Sequence, residues 1–288
     1  MLSSKNRNKL IPYLFVGPAI LYFASVTLIP ALMALPISFT NWSITNPKPR
    51  FVGFSNYQLL FQDPMFFETT WNTICMASYI PLVLALGLLL ALLVNAKSFG
   101  NVIYRVTFYA PVVTSTIAAA IVFEWLYDPS FGLLNSILGA FGISGIGWVK
   151  DPNTSLMSVI LFKLWKGAGA IMIIYLAGLQ DIPTELYESA ALDGASNTKA
   201  FFRITLPLLR PQHIYLLMTQ TIGLFMIFQE TYILDGPLDS TKTIVNYIYT
   251  EGFKNMRMGY ASAMSMILFV LVLVLAVAQK KIVKLDTV

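Results

Sequence analysis

The chain has 288 residues, 57% of them hydrophobic and only 11% charged, with a mean hydropathy of +0.69 and a net charge of +5. Soluble domains carry about a quarter charged residues, so a water-soluble globule is excluded and a chain embedded in lipid is implied. One cysteine, Cys75, and one histidine, His213, exclude an internal disulfide, a Cys/His metal centre and most catalytic triads.

At the start, Lys5, Arg7 and Lys9 precede an apolar stretch, as they would in a signal peptide, but that stretch runs uncharged over residues 10–47. The apolar part of a signal peptide spans about 7–15 residues, so this segment reads as a retained first span within 11–39. A helix needs about 20 apolar residues to cross the hydrocarbon core. Further windows of that scale lie at 70–96, 105–124, 155–179, 213–234 and 258–279. No ten-residue alternation suggests a barrel, and open strands cannot satisfy their backbone in lipid. The expectation is an all-α, polytopic membrane protein of six transmembrane helices in one domain, 1–288. Pro30, Pro36, Pro81 and Pro111 predict kinks in or near these windows.

An even number of spans puts both termini on one side. With the termini in the cytosol, the inner segments hold eleven cations: Lys5, Arg7, Lys9, Lys97, Arg105, Lys199, Arg203, Arg210, Lys280, Lys281 and Lys284. The outer segments hold six: Lys48, Arg50, Lys150, Lys242, Lys254 and Arg257. The positive-inside rule therefore favours cytosolic termini. Trp42, Trp71, Tyr127, Trp148 and Tyr260 fall near predicted boundaries, as headgroup anchors do.

Between the fourth and fifth windows lies the longest inner loop, 180–212. Thr184 is placed to cap a helix from Glu185, whose carboxylate suits the positive end of the helix dipole. Gly194 sits where a left-handed C-terminal cap belongs, Ser196 can cap a second short helix through Arg203, and Pro207 limits its continuation. Ser189, Ala190 and Ala191 give a smooth surface for close approach, flanked by Glu188 and Asp193. A DNA-binding helix-turn-helix is excluded by the flanking spans and the lack of a basic face, so no nucleic-acid partner is expected. An inert connector lying on lipid is the alternative.

The loop reads Glu188-Ser189-Ala190, three residues, Gly194, nine residues, Ile204, one residue, Leu206-Pro207. This resembles the "EAA" signature of permeases from binding-protein-dependent ABC importers, with Ser189 replacing the family's first Ala. The run 186–196, Leu-Tyr-Glu-Ser-Ala-Ala-Leu-Asp-Gly-Ala-Ser, is similar to the carbohydrate-uptake branch. Pro12-Tyr13-Leu14-Phe15, Gly17-Pro18-Ala19, Phe51-Val52-Gly53-Phe54-Ser55-Asn56-Tyr57, Asp63-Pro64 and Trp71-Asn72-Thr73 extend the resemblance. So do Asp128-Pro129, Phe131-Gly132-Leu133-Leu134-Asn135 and Met258-Gly259-Tyr260-Ala261-Ser262-Ala263, together favouring the first permease partner of the maltose and glycerol-3-phosphate type. The resemblance implies a permease subunit for sugars or oligosaccharides in a bacterial inner membrane. It also implies a heterodimer with a second permease subunit, a cytosolic ATPase dimer and an extracytoplasmic sugar-binding protein. ATP and Mg would reside on the ATPase partners, with no cofactor in this chain. On this reading Glu185, Glu188, Ser189, Ala190, Asp193, Gly194, Ile204, Leu206 and Pro207 form the ATPase-coupling site.

Two cations, Lys163 and Lys166, stand three apart within the fourth window. A charge at mid-membrane costs about 2.5–3.5 kcal/mol on insertion scales, so each should face a cavity or a partner. Glu230 and Glu124 are candidate counter-ions. Lys163, Lys166 and Glu230 are therefore substrate-pathway candidates, and a surplus of cations would suit an anionic or phosphorylated sugar. His213 reads as a boundary residue, and Gly259 with Ala263 as a close helix contact. No phosphate loop, nucleophile elbow, His-Glu-x-x-His or Cys-x-x-Cys occurs, so neither a catalytic nor a metal site is expected. An intramembrane glycosyltransferase would need paired carboxylates at a membrane face, and an ion-coupled secondary transporter would need inverted repeats and midplane carboxylates.

Overall fold

The computed structural model describes residues 15–46, 48–96 and 100–285. Lys5, Arg7, Lys9 and Lys97 of the charge count, and Pro12-Tyr13-Leu14, lie outside the described residues. Among those residues the backbone is helical, with two isolated bridges, Thr40 to Phe51 and Ser43 to Asn46. Four helices are long and apolar enough to cross a membrane: Phe15–Ser38, Pro64–Asn95, Pro152–Gln180 and Met258–Lys281. A bent pair, Asn101–Val113 and Thr116–Leu126, makes a fifth if counted as one span.

That pair departs from the straight third helix the sequence predicts. Its two halves meet at 97°. Pro111 contributes no N–H to the ladder, and Thr114 leaves the helix with extended backbone at ψ 151°. Ser115 then caps a new helix, its side chain accepting from the Ala118 N–H. The fifth window is also divided. Helix Arg210–Leu224 has 15 residues and ends at Phe225, and a short helix, Gln229–Ile233, follows.

The chain forms two compact units, Met1–Pro64 with Ile248–Leu271, and Met65–Tyr247 with Val272–Val288. In the first unit, segments far apart in sequence are stitched by hydrogen bonds. Asn56 donates to the carbonyls of Ser38 and Thr40, and the Ser38 hydroxyl meets the Tyr57 hydroxyl at 2.7 Å. Phe39, Phe54 and Tyr57 pack ring on ring around that corner. Gly259 donates its N–H to Trp42 O at 3.0 Å, and a Cβ there would collide with the Thr40 carbonyl. Tyr260, with 4% of its surface exposed, donates to Asp63 Oδ2 at 2.6 Å. Buried Glu251 accepts from Asn255 and Arg257.

In the second unit the Pro152–Gln180 helix is the central member. Bare backbone lets neighbours approach it, as membrane helix packing favours. A Cβ on Gly87 would stand 2.5 Å from Ile171 Cγ2, and one on Gly169 would strike the Phe108 carbonyl. Helices Pro64–Asn95 and Asn101–Val113 are thereby seated against it. Tyr127 is 2% exposed and donates to Ser158 O at 2.8 Å, its ring stacked on Trp148. Burial pushes its phenol up, so it remains a neutral donor. Tyr127 and Tyr260 are thus interior side chains rather than headgroup anchors, because each hydroxyl finds its partner inside the chain.

Candidate functional site

The loop that follows Pro152–Gln180 folds as a compact helical hairpin. Its first helix, Thr184–Leu192, has Pro183 as its N-cap, and no side chain makes a capping bond. The capping role expected of Thr184 is therefore corrected: proline fixes the backbone at the cap position, and Thr184 becomes the first helical residue. Glu185 occupies the first turn, where a carboxylate suits the dipole. Gly194 ends the helix with φ +72°. Its N–H reaches Ala191 O at 3.0 Å and the Ala195 N–H reaches Ala190 O at 2.9 Å, closing orphan carbonyls as a left-handed cap does.

Ser196 then caps helix Asn197–Ala200 by accepting from the Lys199 N–H at 3.3 Å. This helix does not stop at Arg203. It widens into a π turn, Phe201–Thr205, and continues as Leu206–Leu208. The π register lets the Leu206 N–H bond Phe201 O just before Pro207, whose ring cannot extend an ordinary ladder. Across the hairpin the Tyr187 hydroxyl meets Thr205 Oγ1 at 2.8 Å, and Thr205 is buried. One side carries a groove of about 240 Å³ lined by Ala190, Asp193, Ala195, Lys199, Arg203 and Ile204. The tip, Leu192, is an apolar side chain 91% exposed.

At the base, His213 Nδ1 lies 2.7 Å from Leu209 O and its ring sits edge-on to Tyr175. Glu185, Glu188, Ser189, Ala190, Asp193, Gly194, Ile204, Leu206 and Pro207, the residues expected to form a coupling site, all belong to this one hairpin and its exit. Sequence reasoning did not foresee the Tyr187–Thr205 bond or the exposure of Leu192. A Tyr–Thr bond across a turn leaves no periodic signal, and a leucine in an apolar chain draws no notice.

Deeper in the same unit, Lys163 Nζ lies 3.5 Å from Glu230 Oε1, each side chain 18% exposed. The ammonium also stands 5.1 Å from the centre of the Tyr79 ring. Lys166 Nζ turns the other way and donates to Pro111 O at 2.9 Å and Thr114 O at 2.8 Å. Glu124 pairs with Lys150 at 3.0 Å. Lys163 and Glu230 are thus brought together, while Lys166 is set on the backbone of the bent pair.

Residues 83–284 match the family described as binding-protein-dependent transport system inner membrane component. The chain belongs to that family: it is a multi-pass membrane transport component, not an enzyme. It is 35% identical over 287 residues to the probable ABC transporter permease protein YurN of Bacillus subtilis (strain 168), covering 97% of this chain and 98% of that one. The arabinooligosaccharides transport system permease protein AraP of the same organism is 36% identical over 95% of this chain and 88% of its own. Among solved structures, a chain of the bacterial alginate ABC transporter in complex with alginate pentasaccharide-bound periplasmic protein superposes with a TM-score of 0.85 at 25% identity, covering 95% of this chain and 93% of that chain.

Proposed function

We propose that this chain is the permease subunit of an ABC importer for sugars or oligosaccharides. It has six spans, the bent pair serving as the third and residues 210–233 as the fifth. Both termini and the 184–208 hairpin face the cytosol. The observation that carries the reading is the hairpin itself: a self-stitched, solvent-exposed element at the EAA spacing, joined directly to Pro152–Gln180 on one side and Arg210–Leu224 on the other. A rigid element so connected can convert a push from a neighbouring protein into movement of the helix that follows it.

The partners on this reading are a second permease subunit, a cytosolic ATPase dimer and an extracytoplasmic sugar-binding protein. ATP and Mg belong to the ATPases. When those subunits close, the hairpin is displaced, the Arg210–Leu224 helix swings, and the pathway through the paired permeases changes the side on which it opens. Family membership supports this over an intramembrane glycosyltransferase or an ion-coupled transporter. The relatives' oligosaccharide and alginate transport supports a sugar as cargo. A neutral sugar is favoured over an anionic or phosphorylated one, because Lys163 faces Glu230 and Lys166 faces two carbonyls. Purifying the tagged chain from its native membranes tests the assignment. An ATPase and a second permease should accompany it, and ATP hydrolysis should rise with a sugar-loaded receptor. A chain that moves solute alone would refute it.

A further inference from the structure

We propose that Lys166 is a positioning residue: its ammonium fastens the severed end of Asn101–Val113 to the Pro152–Gln180 helix and so fixes the bend on which transport depends. The functional half of this inference rests on the importer reading. The structural half stands on the geometry alone.

Breaking a helix leaves the last carbonyls of its first half without donors, and hydrocarbon offers no water to supply them. Here the local donors converge on one acceptor: Pro111 O takes both the Thr114 N–H at 3.3 Å and the Thr114 hydroxyl at 2.7 Å. The Thr114 carbonyl receives Lys166 Nζ at 2.8 Å, and Pro111 O receives the same nitrogen at 2.9 Å. Both are short charge-assisted bonds, and a cation is the complement of the negative end of a helix dipole. An ammonium with three donors can serve both carbonyls.

The same helix grips both arms of the bend. Gly169, three residues on from Lys166, lies against the Phe108 backbone of the first arm. Trp165, beside Lys166, packs its ring 4.9 Å from Phe123 of the second arm, which also meets Phe162 at 5.0 Å. Within the elbow lies an apolar pocket of about 490 Å³ lined by Thr114, Ala118, Val122, Phe123 and Trp165. Released from Lys166, the first arm loses a charged tie to the helix that seats both arms, and the angle between them loosens.

The test uses the complex purified from native membranes in a Cys75→Ser background. Spin labels go on cysteines placed at Val102 and Trp125, one on each arm and both exposed. Their distance is measured nucleotide-free and after vanadate trapping with ATP. A narrow distribution in the parent should broaden towards longer distances in Lys166→Met and stay narrow in Lys166→Arg, whose guanidinium still reaches two carbonyls. ATP hydrolysis by the same complexes should fall about tenfold in Lys166→Met, the scale of losing charge-assisted hydrogen bonds, and be rescued by Arg. If Lys166→Met fails to accumulate, Lys166→Gln, which keeps a donor without the charge, carries the comparison. A narrow distribution in the Met or Gln variant, an Arg variant as loose as Met, or full hydrolysis despite a loosened bend would each overturn the proposal. A parent complex that hydrolyses no ATP would count against the importer reading and leave the distance result to decide the fastening.

Discussion

Replacing Gly194 isolates backbone geometry from contact. A Cβ at this position meets nothing within 4 Å, so substitution adds no clash, and the whole effect comes from φ +72°. Holding an ordinary L-residue in the left-handed region costs about 1–2 kcal/mol, and a β-branched residue sits there as a genuine outlier. One to two kcal/mol corresponds to a factor of about 5–30 in the population of the turn. What opens with the turn is specific: the Gly194 to Ala191 and Ala195 to Ala190 bonds that close the first helix of the hairpin. Gly194→Val should therefore lower hydrogen-exchange protection at residues 190–200 by at least that factor. It should also cut receptor-stimulated ATP hydrolysis and uptake, with membrane insertion unchanged. Gly194→Asn, a residue that visits the left-handed region readily, should retain most of both. The reasoning is refuted if Val leaves protection and uptake intact, or if Asn is as damaging as Val.

Leu192, exposed at the tip, bonds no neighbour that its loss would strand, so Leu192→Asp should leave the melting temperature of the isolated chain unchanged. The same variant should lose the ATPase on co-purification, and retained association would remove Leu192 from the contact. Glu230→Gln leaves Lys163 without its carboxylate, and breaking one side of a buried ion pair typically costs about 3–5 kcal/mol, towards the lower end here because the pair is partly exposed. Thermal stability in detergent should fall more in Glu230→Gln than in the Lys163→Met, Glu230→Leu double variant. Equal losses would mean the pair does not hold these helices together.

Local features of the hairpin were legible from residues alone. Gly194 and Ser196 announce a left-handed cap and an N-cap by type and position, and the structure has both. Thr184 misled because Pro183 takes the cap position, a choice that residue type does not settle. Four apolar windows became continuous helices because hydropathy is a length-and-composition property, which sequence carries directly. The bend of the third segment was less readable. Pro111 signals a kink, but Ser115 turns it into a full change of direction, and Lys166 stabilises that turn from 52 residues away. Backbone carbonyls have no sequence signature, so a lysine that serves them looks, in sequence, the same as a lysine that awaits an anion. Lys163 and Glu230 could be paired in principle from sequence, since hydrocarbon leaves a lone charge few other options.

The Phe15–Ser38 helix has an apolar window with none of its residues buried inside the chain. Lipid tails are as oily as leucine, so solvent aversion gives such a rod no reason to fold back on its own polypeptide. Asn56 and Tyr57 hold its Ser38 end, and along the apolar window acyl chains or a second protein set how the rod is seated. A copy made without companions leaves this apolar column facing lipid along its whole window.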